Sequence, residues 1–311
     1  MSWKTTDIPD LTGKRAVVTG VTGGLGLHTA IELARHGAYL AVTARNPQKA
    51  EEAVARIQGD VPGATVDVVA LDLADLADVK RAADEIAAYG KVDILVNNAG
   101  IMFPPKPSTT VDGYELQMGT NHLGHFALTA HLWPLLVTSH ARIVSVSSNM
   151  HKATSGIDLR TFTTPEGSPR RYKRTQAYAE SKVANLLFAN ELDRRVKAAG
   201  IDVVSVSAHP GYASTNITKT GPSVGGNSLQ ATGMHQVSKV IAQSAAAGAW
   251  PLLMAATDPS LKGGEYVGPG GPGQWRGRPK LVGMSRTARD THLANALWAA
   301  SESAAGVEFT V

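Results

Sequence analysis

Six short runs in this chain are apolar along their length, and helical stretches separate them. They are KRAVVT (14–19), AYLAVTA (38–44), TVDVVAL (65–71), VDILVNN (92–98), ARIVSVSS (141–148) and IDVVSVSAH (201–209). A strand with one wet face alternates apolar and polar residues. These runs do not, so both of their faces must be covered. Between them, apolar residues recur at helical spacing. LGLHTAIELARHG (25–37) stops at Gly37, and NPQKAEEAVARI (46–57) opens with an asparagine cap and a proline. ADLADVKRAADEIAAY (74–89) follows, and helices are expected over 112–138, 175–199, 235–257 and 287–302. A short strand is expected in GEYVG (264–268). Strands alternating with helices predict an α/β chain: a single doubly wound parallel sheet with helices on both faces. No internal repeat or low-complexity linker divides the chain. Residues 1–311 therefore read as one domain, with elaborated loops near 149–174 and 210–234.

Composition removes several kinds of chemistry. The chain has no cysteine, which excludes disulfides, thiolate nucleophiles and cysteine-ligated zinc. His122, His125, His151 and His209 lack metal-ligand spacing and read as packing or solvent residues, so no metal is expected. No expected strand leads directly into a G-x-S-x-G elbow, which argues against a hydrolase. The N-terminus has no long apolar segment, so neither a signal peptide nor a membrane span is expected, and the location expected is cytoplasmic. The net charge is +4, and PRRYKR (169–174) is the densest basic cluster. It reads as a solvated loop, with no nucleic-acid module around it.

TGVTGGLG (19–26) lies between the first strand and the first helix. Gly20, Gly24 and Gly26 let the backbone turn tightly and approach a pyrophosphate. Thr22 and Leu25 share that turn, and the helix N-terminus adds free N–H donors. The arrangement is that of a Rossmann fold with a nucleotide at its first turn. An acid at the end of the second strand would hold a ribose 2′-hydroxyl. This chain instead reads VTARN, with Ala44 and Arg45. A guanidinium suits a 2′-phosphate, so the cofactor expected is NADP(H). Asp72 and Leu73, after the third strand, are placed to meet the adenine, although Asp72 could equally cap the next helix. NNAG (97–100) ends the fourth strand and adds Asn98, Ala99 and Gly100 to the expected cofactor contacts.

YAESK (178–182) puts Tyr178 and Lys182 on one helix face. With TGVTGGLG, NNAG and the VSS of the fifth strand, it completes an ordered set that resembles the short-chain dehydrogenase/reductase family along nearly the whole chain. ARIVSVSSNMHK, YAESKVANLLFANEL and ALWAASESAAG look like its retinol dehydrogenase-like branch, which includes WW-domain oxidoreductases. The resemblance implies roles. Tyr178 matches the general acid/base, and Lys182 the lysine that binds the nicotinamide ribose and lowers the tyrosine pKa. Ser148 matches the serine that holds the substrate oxygen, and Asn121 the proton-relay asparagine. Thr215 matches the threonine at the carboxamide, after the Pro210–Gly211 turn. The implied activity is hydride transfer between NADP(H) and a small carbonyl or alcohol. A non-catalytic NADP(H) sensor on the same fold is the alternative. No nucleic-acid or membrane partner is expected. Family members often pair through helices equivalent to 112–138 and 175–199, and both a homo-oligomer and a monomer stay open. Residues 210–234 are expected to close over substrate as a lid.

Overall fold

The computed structural model describes residues 2–162, 172–212 and 243–311, and the six apolar runs and the expected GEYVG strand all form in it. The six runs are β1 (Arg15–Thr19), β2 (Tyr39–Ala44), β3 (Val66–Ala70), β4 (Ile94–Asn97), β5 (Arg142–Val146) and β6 (Val204–Ala208). Two more follow at the edge, β7 (Tyr266–Pro269) and β8 (Pro279–Leu281). The sheet order is β3-β2-β1-β4-β5-β6-β7-β8. All pairings are parallel except β7 with β8, which is antiparallel. PKL is too short and too polar to read as a strand; antiparallel pairing with β7 supplies its order.

Strand side chains alternate between faces, so each strand feeds two cores. Val18, Val42, Val96, Val144, Val206 and Val267 line one face. There they meet α1 (Gly24–Arg35), α2 (Pro47–Asp60) and α8 (Ala245–Thr257). Val17, Ala41, Leu95 and Ile143 line the other. That face carries α3 (Leu76–Ala87), α5 (Gly124–His131), α6 (Trp133–Thr138), α7 (Arg174–Ala199) and α9 (Thr291–Ala305). Asn46 caps α2 through Lys49 N–H at 3.0 Å. Asp75, not Asp72, caps α3 through Ala77 and Asp78 N–H.

The expected helix over 112–138 is corrected. Glu115 accepts from Gln117 and Met118 N–H at 3.1 and 2.8 Å and sets the start at α4 (Leu116–Met118). A π-helical turn, Gly119–Leu123, runs into α5. The chain breaks again before α6, where Pro134 has no N–H to continue the ladder. The last helix is also displaced, to α9, with Asp290 as its cap. α9 packs along α7, and its Trp298 joins Phe126, Phe188 and Phe309 in an aromatic cluster. Of the 210–234 lid only 210–212 fall within the described residues, and of the expected 235–257 helix the described part is α8.

Candidate active site

The strand order reverses between β1 and β4, and the carboxyl ends there form the crevice where doubly wound sheets take their ligands. Asn98 ties the two ends together. Its Nδ2 donates to Thr19 O at 2.7 Å, and its N–H donates to Thr19 Oγ1 at 2.9 Å. Ala99 N–H donates to the same hydroxyl at 2.9 Å. Gly20 has φ of 74°, and a Cβ on it would lie 2.8 Å from Ala99 Cβ. A Cβ on Gly26 would run into Gly20 O and the Asn98 amide. These glycines thus let β1, α1 and the NNAG turn pack together. Gly24 opens α1 with φ of 59°. Leu25 is buried beside it, and Thr22 is exposed. The N-terminus of α1 has no side-chain cap, which leaves its first N–H groups for an anion.

Arg45 projects from the end of β2 with its side chain 75% exposed, and its nearest acid is Asp72 at 3.8 Å. Asp72 is fastened by its own turn: Oδ1 accepts from Ala74 N–H at 3.0 Å, and its N–H donates to Asp78 at 2.7 Å. Leu73 is buried against Gly124, where a Cβ would clash with Leu73 O. Gly211, with φ of 70°, donates its N–H to His209 Nδ1, and Pro210 O accepts from Gln243 Nε2 at 2.6 Å. Thr215 lies outside the described residues.

The four expected catalytic residues, Asn121, Ser148, Tyr178 and Lys182, are brought together at this end of the sheet. Asn121 sits in the π-helical turn. Its side chain accepts from Ile101 N–H at 2.8 Å and donates to Ile101 O at 3.0 Å and Ser181 Oγ at 2.9 Å. Ser181 in turn donates to Tyr178 O at 2.8 Å. Lys182 Nζ donates to Val146 O at 3.1 Å and lies 5.7 Å from the centre of the Tyr178 ring. The Ser148 side chain lies near enough to the Tyr178 hydroxyl to favour its ionised form. Ser147 points the other way and donates to Lys182 O at 2.7 Å. Gly100 fits between: a Cβ there would lie 2.9 Å from Asn121 Oδ1 and 3.6 Å from Lys182 Nζ.

Burial controls the ionisation of this group. It pushes Tyr178 up to about 12, and the nearby Ser148 side chain opposes it only in part. It pulls Lys182 down to about 8. Desolvation thus drives each side chain toward its neutral form.

Against this geometry the comparisons are direct. The model of the short chain dehydrogenase family matches residues 14–157. An uncharacterized oxidoreductase of Schizosaccharomyces pombe is 38% identical over 269 residues, 83% of this chain and 76% of that protein. Retinol dehydrogenase 13 of Homo sapiens is 36% identical over 299 residues, 95% of this chain and 86% of the human protein. The chain belongs to the short-chain dehydrogenase/reductase family. Within it, the likeness is to the retinol dehydrogenase-like branch. A crystal structure of an uncharacterized protein from Mycobacterium paratuberculosis, 38% identical, superposes with a TM-score of 0.80 over 100% of both chains. Family members use nicotinamide cofactors and act on small molecules. No helix among the described residues is long and apolar enough to cross a membrane.

Three residues at the site escaped the motif reading. Phe103 has φ of 57°, rare for a bulky side chain, and its ring meets Tyr178 edge-on at 5.2 Å. Gln117, fully buried, holds Phe103 N–H at 2.9 Å and reaches Tyr172 Oη at 3.2 Å and Arg174 O at 3.0 Å. His125 joins Asn121 O at 3.0 Å to Thr19 Oγ1 at 2.9 Å. Each makes at least one contact across 14 to 106 residues of sequence, where no local pattern marks it.

Proposed function

We propose that this protein is an NADP(H)-dependent oxidoreductase of one domain over 1–311, interconverting a carbonyl and an alcohol with Tyr178 as general acid/base. The observation that carries this reading is that Lys182 Nζ lies over the buried Tyr178 ring with Ser148 close by, while Asn121 is tied to the same turn of α7 through Ser181. The residues present suit the cofactor. The uncapped start of α1 offers N–H groups to a pyrophosphate. Lys182 uses one donor on Val146 O and has others for ribose hydroxyls. Arg45 is exposed, and an ion pair like that with Asp72 is worth only about 0–1 kcal/mol, so the guanidinium can turn to a 2′-phosphate at little cost.

The nicotinamide, when bound, supplies or accepts the hydride. The chain's own task is the proton on the substrate oxygen. Met150 N–H donates to Ser148 Oγ at 3.2 Å, so the serine proton remains to stabilise charge growing on that oxygen. Tyr178, with its pKa pushed to about 12, carries its proton at neutral pH and is ready to donate it. Lys182 is still mostly an ammonium at pH 7 and opposes the cost of the phenolate left behind. This ground state favours carbonyl reduction near neutrality. The likeness to retinol dehydrogenase 13 supports an apolar substrate, and Phe103 at the Tyr178 ring offers it an apolar wall.

NADPH oxidation with all-trans-retinal and 4-nitrobenzaldehyde tests the proposal. Turnover is expected in the wild type and its loss in Tyr178→Phe. Tight NADPH binding without turnover on any carbonyl in a broad panel would sink the enzyme reading in favour of a sensor.

A further inference from the structure

Ser148 is the first residue of a tight turn, and its backbone is gripped from one side by a single residue. Its carbonyl accepts from His151 N–H at 3.0 Å and from His151 Nδ1 at 2.7 Å. Both lone pairs of that oxygen are thus used by His151. The other ring nitrogen identifies the tautomer. Ser285 N–H lies 3.2 Å from Nε2, and a backbone amide can only donate. Nε2 must therefore be the bare nitrogen, and Nδ1 must bear the proton it gives to Ser148 O. The ring is fully buried and stands edge-on to Tyr266 at 5.5 Å. Burial favours the neutral form.

Two further contacts make this more than packing. Ser148 Oγ lies in the same turn and is aimed by Met150 N–H. A shift of the Ser148 backbone at its carbonyl therefore moves that hydroxyl with it. His151 also ties the turn to the segment after β8, through Ser285. It thus anchors the end of β5 to a second element 134 residues away.

We propose that His151 is a positioning residue for Ser148: its neutral, Nδ1-protonated imidazole holds the Ser148 carbonyl and thereby the direction of the Ser148 hydroxyl. The proposal rests on the reading of Ser148 as the group that binds the substrate oxygen.

The tests use the full chain with NADPH and 4-nitrobenzaldehyde, alongside Ser148→Ala. An asparagine amide sits where Nδ1 sits, and a glutamine amide where Nε2 sits. His151→Asn is expected to keep kcat within about 3-fold of wild type, and His151→Gln and His151→Leu to lose about 10-fold or more, with the KM for the aldehyde and the NADPH dissociation constant within about 2-fold. His151→Gln matching or exceeding His151→Asn overturns the proposal, and that pair decides even where His151→Leu does not fold. Nitrogen-15 NMR of the wild type at pH 7 gives a second readout that needs no turnover. A neutral ring protonated on Nδ1 is expected; a ring protonated on Nε2, or an imidazolium, overturns the proposal. Should Ser148→Ala turn over like wild type, the reading of Ser148 fails instead, and the ring spectrum still decides the state of His151.

Discussion

Replacing Lys182 with methionine should stabilise the chain and destroy its activity. The side chains are similar in length, so packing changes little. The ammonium is buried, and its pKa falls from 10.5 to about 8, which corresponds to roughly 3 kcal/mol held against the folded state at pH 7. Against that, methionine forfeits the 3.1 Å bond to Val146 O. Bonds of that charged kind are worth about 1.5–3 kcal/mol, and Val146 O keeps Asn185 Nδ2 at 2.9 Å. The net expectation for Lys182→Met without cofactor is a gain of about 1 kcal/mol at pH 7, about 1–2 °C in Tm for a chain of this size. The pH dependence carries the sign. A folded pKa of about 8 lies below the unfolded value, so the unfolded chain binds more protons between them. Wild-type stability therefore rises with pH through that window, and the gain in the variant shrinks toward zero or reverses by about pH 9.5. Urea or thermal melts of both proteins at the two pH values measure this. A difference that is the same at both, or that grows with pH, refutes the reasoning that burial of the ammonium is the cause.

Arg45→Ala should weaken NADPH by about 10-fold or more and leave NADH nearly unchanged, as read by fluorescence titration; equal losses for both would remove the basis for a 2′-phosphate contact. The rate of carbonyl reduction should fall as pH rises above about 8, where Lys182 sheds its proton, and a rate that climbs from pH 8 to 10 would contradict this assignment. Phe309→Ala should cost about 3–5 kcal/mol, some 5–8 °C in Tm, because the ring is 1% exposed in the cluster with Phe126, Trp133 and Trp298. A loss under about 1 kcal/mol would mean that the C-terminal segment is not docked as described.

Much of this protein is legible along the chain, because its determinants are local. Unbroken apolar runs require strands covered on both faces, and the runs at β1 to β6 can satisfy that only in a parallel sheet with helices above and below. Gly20 and Gly26 announce a turn where backbones come within a Cβ of each other. Tyr178 and Lys182 share a helix face by spacing alone. Other features depend on partners far away in sequence. The π-helical turn at Asn121 has no signature of its own; it is held through Ile101 and Ser181. β8 is a strand only because β7 lies beside it. The histidines have no motif, and only folding shows that His151 faces a carbonyl on one side and an amide N–H on the other. Ionisation belongs to the same class. The spacing of Tyr178 and Lys182 does not show the depth at which the sheet and α7 bury them, and that burial pushes the one pKa up and the other down. Spacing and propensity act over a few residues, whereas dielectric and hydrogen-bond partnership are set by whatever the whole fold brings near.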